Sequence, residues 1–201
     1  MKNWNNFWRS EKTIYIPISL VKSLYFTKIK ADYIKKFLSG SSILEVGCGD
    51  GRLLNFFSKD INITGLDISP FALKKAKKIL ACRKASLILR NAFNLKFDNT
   101  FDLVLNDGLI EHYTEKIEEL IKGMYSVTKK GGYLITILTN RDFIRKMLFN
   151  YIYIWDKEKI KTTKEYKNIF DKVLSNISKE YKIETIPKSF GILMAVVVKK
   201  C

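Results

Sequence analysis

The chain has 201 residues, 47% of them apolar and 13% aromatic, which suits one domain with a substantial core and excludes a disordered chain. No run approaches the ~20 apolar residues of a membrane span, and the opening M-K-N-W-N-N-F-W lacks the apolar centre of a signal peptide. Thirty-six basic against 20 acidic residues give +16, concentrated at the ends: residues 1–40 carry +6 and 141–201 carry +7, whereas 111–140 are neutral.

In chain order, residues 20–39 place Ile29, Tyr33 and Phe37 at helical spacing and stop at Gly40. Residues 42–46 (S-I-L-E-V) form a short apolar strand that runs into glycines. A helix over 52–59 and a second strand over 61–68 follow. Ser69-Pro70 supplies an N-cap and a first-turn proline, which opens a helix with Phe71, Leu73, Ala76, Ile79 and Leu80 inward and Lys74, Lys75, Lys77 and Lys78 outward. Residues 87–92 and 101–106 read as strands, and 114–129 as a helix burying Ile117, Leu120, Ile121, Met124 and Val127. Lys130-Gly131-Gly132 ends that helix, and 133–138 is a fifth strand. Residues 181–186 and 192–199 are two further strands, and the short link between them requires antiparallel pairing. The alternation predicts an α/β, three-layer Rossmann-like sandwich on a mostly parallel seven-stranded sheet with a C-terminal antiparallel hairpin.

The segment Glu45-Val46-Gly47-Cys48-Gly49-Asp50-Gly51 follows the first strand. Such a turn uses glycine for φ values that side chains forbid and for close approach of a ligand to bare backbone. Its spacing is G-x-G-x-G rather than the G-x-G-x-x-G of dinucleotide binders. Asp67, 20 residues after Gly47, ends the second strand, where a carboxylate accepts ribose hydroxyls. Three scattered cysteines (Cys48, Cys82, Cys201) and one histidine fit neither a disulfide framework nor a multi-histidine centre. No metal is expected, and the setting expected is reduced and cytoplasmic.

Together, I-L-E-V-G-C-G-D-G-R-L, G-L-D-I-S, N-A-F-N-L, F-D-L-V-L-N-D-G-L-I-E-H and G-G-Y-L-I-T-I resemble, in order and spacing, the motifs of class I S-adenosylmethionine-dependent methyltransferases. The resemblance implies S-adenosylmethionine as cofactor. It implies that Gly47, Cys48, Gly49 and Gly51 form the loop beside the methionine end, with Glu45 orienting it. Asp67 would then hold the ribose and Ile68 would lie against the adenine. Ala92 and Phe93 would supply the other adenine wall and a backbone donor, and the Asn106 carbonyl would take the amino group. Asn91 stands where the family usually has aspartate; it either accepts from the adenine or is a strand-end turn residue.

Asp107, Glu111 and His112 follow the fourth strand, where the loop would face the transferable methyl group. They are the catalytic candidates, with His112 the natural general base. The aromatic stretch 143–155 offers Phe143, Met147, Tyr151 and Trp155 either as a substrate cover or as a packing helix. Trp4, Phe7, Trp8 and Tyr15 fit an N-terminal cap over the cofactor, a dimer contact or plain core. The single domain thus divides into a cap or helix (1–40), a cofactor-binding core (41–138), a candidate lid (139–180) and closing strands (181–201). The expected reaction is methyl transfer to an O or N atom of a small molecule. RNA or protein-lysine methylation, drawn by the basic ends, and a catalytically silent cofactor-binding subunit are the alternatives.

Overall fold

The structure is a computed structural model that describes residues 4–9, 17–98, 100–140, 161–178 and 180–201. Seven strands form one sheet in the order β3-β2-β1-β4-β5-β7-β6. They are β1 (Ser42–Val46), β2 (Asn62–Asp67), β3 (Ala85–Leu89), β4 (Phe101–Asp107), β5 (Thr128–Thr139), β6 (Tyr181–Thr185) and β7 (Leu193–Lys199). β1 to β5 pair in parallel, and β7 runs antiparallel to both β5 and β6. The expected architecture is therefore the observed one.

Among the described residues the α-helices are α1 (Trp4–Arg9), α2 (Pro17–Ile34), α3 (Pro70–Ile79), α4 (Ile117–Ser126) and α5 (Thr163–Leu174). Alternate strand residues feed two cores. Leu44, Val104, Leu134 and Val196 pack under α4 and α5, while Ile43, Leu103, Ile135 and Val197 pack under α2. Among the described residues no helix is long and apolar enough to cross a membrane.

Several boundaries differ from expectation for identifiable reasons. The helix expected over 52–59 is one 3-10 turn, Leu54–Phe56. The glycine turn takes up the start of this connection, and a Ser58–Ile61 turn (3.3 Å) closes its end. The third strand is Ala85–Leu89, so 90–92 leave the sheet. The helix expected over 114–129 begins with a 3-10 turn and ends at Ser126, because Thr128 already pairs with Phe101. Gly131 and Gly132 lie inside β5, at a bulge opposite Phe101–Leu103. A Cβ on Gly132 would stand 2.7 Å from the Asp102 carbonyl oxygen, so a strand interior demands glycine here. Ser69 caps α3 as expected, accepting from the Ala72 N–H at 3.4 Å, but Phe71 stays 37% exposed, and Ala72 is buried along with Ala76.

Within the candidate lid, Thr163–Leu174 is a core helix that buries Tyr166, Phe170, Val173 and Leu174. A Thr162/Glu165 capping box starts it, and that T-x-x-E was the readable signal. Residues 143–155 lie outside the described residues.

The lower rim of the sheet is tied by Asp102. Its Oδ2 accepts from the backbone N–H groups of Ser41 (3.0 Å) and Ser42 (2.9 Å) and from the Ser42 hydroxyl, while its Oδ1 receives Lys129 Nζ at 2.8 Å. Gly40 is needed beside it: a Cβ there would fall 2.2 Å from the carboxyl carbon.

Candidate active site

At the opposite rim, β1 delivers Glu45 and Val46 into the glycine turn. The backbone N–H groups of Gly47 (2.7 Å) and Cys48 (2.9 Å) donate to the Leu66 carbonyl of β2, which holds the turn against the neighbouring strand. Gly47, Gly49 and Gly51 all have positive φ, at 77°, 53° and 74°. Asp67 fastens the arrangement: its Oδ2 accepts from the Gly49 N–H at 2.9 Å and its Oδ1 from the Ser69 N–H at 2.8 Å. Burial raises its pKa, and those N–H bonds oppose the rise. A carboxylate held by two backbone donors at a strand tip is a fixed acceptor, with lone pairs left on both oxygens.

A crevice of about 490 Å³ opens over this turn. Of the expected residues, Glu45, Gly47, Cys48, Gly49, Asp67, Ile68, Asn91, Ala92, Asp107 and His112 line it together. Ile68 is 47% exposed, an apolar face presented at the wall. Cys48 is buried, which pushes its thiol pKa up and removes it from consideration as a nucleophile.

Four expected residues lie off the wall. Gly51 sits under α3, where a Cβ would meet Leu80 at 2.9 Å and Ala76 at 3.2 Å; it serves helix packing. The Phe93 N–H is already spent on Asn91 Oδ1 (3.0 Å), and the Phe93 ring packs edge-on against Tyr113. Asn91, though on the wall, therefore uses its amide oxygen as a turn acceptor. Asn106 is buried, its side chain pointing into the α4 layer and donating to Thr136 Oγ1 at 2.9 Å, and Asp107 and Gly108 line the wall beyond it; the role expected of Asn106 lies with its backbone carbonyl, not with this side chain. Glu111 is buried behind its loop, where its Oε1 accepts from the Thr139 N–H at 2.9 Å, and burial pushes its pKa up to about 7. It ties the loop after β4 to the end of β5, whereas Asp107 and His112 face the crevice. Phe143, Met147, Tyr151, Trp155 and Tyr15 lie outside the described residues.

One participant carried no sequence signal. Lys30, on α2, lines the crevice and donates to both Asp107 oxygens, at 2.8 and 2.7 Å. Beside this pair, Glu45 is only 2% exposed and its Oε2 has no hydrogen-bond partner. Burial, together with the nearby Asp107 carboxylate, raises the Glu45 pKa well above the usual range.

The roof comes from α1. Trp8 lies on the turn, so close that a Cβ on Gly49 would be 2.8 Å from its ring, and Trp4 meets His112 in a T-shaped contact with centroids 4.7 Å apart. S-adenosylmethionine has a cationic amino end, two ribose hydroxyls and a flat adenine. The buried, partnerless Glu45 oxygen, the Asp67 acceptor and the exposed Ile68 face fit those three features.

A methyltransferase-domain family profile matches residues 37–186. The chain belongs to the methyltransferase domain family. It is a class I, S-adenosylmethionine-dependent methyltransferase in fold and motif. The methyltransferase is 32% identical over 166 residues to the uncharacterized protein MJ0638 of Methanocaldococcus jannaschii, covering 78% of this chain and 69% of that protein. It is 31% identical over 122 residues to the 2-methyl-6-phytyl-1,4-hydroquinone methyltransferase of Synechocystis, covering 59% of this chain and 37% of that one. The plantazolicin methyltransferase BpumL, solved with S-adenosylhomocysteine, superposes with a TM-score of 0.74 at 21% identity, covering 96% of this chain and 93% of that chain. The chain thus spans little more than a third of the Synechocystis enzyme's length.

Proposed function

We propose that this methyltransferase moves the methyl group of S-adenosylmethionine to an O or N atom of a small molecule. The observation that carries the reading is the wall itself: Asp67, fixed by two backbone donors, stands beside a bare glycine turn in a crevice of about 490 Å³, within the size range of small-molecule sites. In this proposal Asp67 accepts both ribose hydroxyls, Ile68 and Ala92 flank the adenine, and Glu45 answers the amino group. Trp8 caps the cofactor half.

When bound, the cofactor supplies a methyl group already activated on a sulfonium, so the chain's own task is positioning, exclusion of water and removal of one proton. His112 is the base that takes that proton, and the Lys30-neutralised Asp107 lines the same crevice. Leu109, Tyr113 and Trp4 give the acceptor half an apolar surround, which favours a small apolar acceptor. A reduced, cytoplasmic setting belongs to the same proposal and agrees with three free cysteines.

The test is a transfer screen with methyl-labelled S-adenosylmethionine against metabolite, RNA and protein fractions, paired with calorimetry of the cofactor alone. Label in the metabolite fraction supports the reading. Label in RNA or protein, drawn by the +16 charge, overturns the substrate class. Cofactor binding without transfer to any fraction points to the silent subunit.

A further inference from the structure

Trp4 and Trp8 stand four residues apart on α1 and therefore share one face of it. Trp8 rests on the bare Cα of Gly49, at a depth that a Cβ would block, and Lys75 Nζ of α3 lies 5.6 Å from the centre of its ring. Trp4, one turn earlier, meets the His112 imidazole with ring planes at 76° and centroids 4.7 Å apart. A single short helix thus bridges the cofactor turn and the loop after β4.

The backbone at His112 is already fixed. It ends the 3-10 turn Ile110–His112, its N–H donates to the Leu109 carbonyl at 3.1 Å, and Glu111 ties the same turn to Thr139. Those bonds act on the backbone and on Glu111, and the imidazole itself meets the Trp4 indole. An edge-to-face contact with an indole selects one orientation of such a ring.

We propose that Trp4 is a positioning residue for His112, setting the direction in which the imidazole presents its nitrogens to the acceptor, with Trp8 on Gly49 as the anchor that places it. This rests on the reading of His112 as the base of the proposed methyl transfer. Among the described residues, Asp107 with its Lys30 partner and Tyr113 line the same crevice as the imidazole, and Glu111, the preceding residue, is buried behind the turn. The described side chains of α1 add none.

The chain has one histidine, so its imidazole proton resonances are unique in the NMR spectrum. They are followed through a pH titration of the full chain for wild type, Trp4→Phe, Trp4→Ala and Trp8→Ala, alone and with S-adenosylhomocysteine. Trp4→Ala is expected to move the resonance and its titration midpoint. Trp4→Phe, which keeps an aromatic face, holds both near wild type, and Trp8→Ala moves them part of the way. Calorimetric affinity for S-adenosylhomocysteine, measured on the same variants, separates an effect on the imidazole from an effect on the shared crevice, which Trp4 also lines. An unmoved resonance in Trp4→Ala overturns the proposal, and so does a Trp4→Phe protein as perturbed as Trp4→Ala. Wild-type protein that fails to bind S-adenosylhomocysteine sinks the methyltransferase reading instead, while the four titrations still decide the contact.

Discussion

Replacing Glu111 by glutamine isolates one buried carboxyl. The side chain is 4% exposed; Oε1 accepts from the Thr139 N–H at 2.9 Å, and Oε2 has no partner. Burial lifts its pKa from 4.5 to about 7, against the pull of the Thr139 bond. Because the folded value lies above the unfolded one, burial costs nothing in ionisation below about pH 4.5, and stability declines as pH rises from there through about 7. At about 1.4 kcal/mol per pH unit, that interval corresponds to about 3 kcal/mol lost by pH 8. Glutamine keeps a carbonyl oxygen for Thr139 and cannot ionise, but its amide N–H groups are left unsatisfied where Oε2 stood, at a cost of about 1 kcal/mol. Glu111→Gln is therefore expected to be about 2 kcal/mol more stable than wild type at pH 8 and about 1 kcal/mol less stable at pH 4.5. The gain at pH 8 is ~4–8 °C in Tm for a domain of this size. Thermal melts of both proteins at the two pH values read the difference directly. A stability difference that does not change with pH refutes the argument.

Asp67→Ala removes the acceptor that fixes Gly49 and that the ribose reading requires; calorimetry should show cofactor affinity falling at least ~30-fold. His112→Ala should lower turnover by ~100-fold or more while cofactor affinity stays within about twofold, which steady-state kinetics and calorimetry separate. Lys30→Met strands Asp107 beside Glu45 and should cost about 1–3 kcal/mol in denaturant unfolding at pH 8. Gly132→Ala drives a methyl group into the Asp102 carbonyl and should lower stability by about 1–3 kcal/mol in the same assay.

The sequence was most legible where a local rule and the global fold agree. Apolar strand runs, the Ser69-Pro70 helix start and the spacing of Gly47 and Asp67 each announced a structure that packing then preserved. It misled where the same residue type serves two purposes. Gly131 and Gly132 look like a loop but allow a bulge inside β5, and Gly51 looks like a ligand contact but admits α3. Asn91 and Phe93 occupy motif positions, yet they satisfy each other across a turn. Lys30 was invisible because its role is set by α2 crossing β4, a juxtaposition 77 residues apart that no local pattern encodes. Trp4 and Trp8 could be named from their chemistry, but their partners, His112 and Gly49, required three-dimensional packing.

The Asp102 clasp bears on how a chain like this diversifies. It gathers the starts of β1 and β4 and the entry to β5 through Ser41, Ser42 and Lys129, none of which lines the crevice. Anchorage and chemistry are thus lodged at opposite poles of one sheet. Mutations that retailor the mouth for a new acceptor leave the clasp intact, so such a scaffold can explore chemistry without first surrendering its integrity.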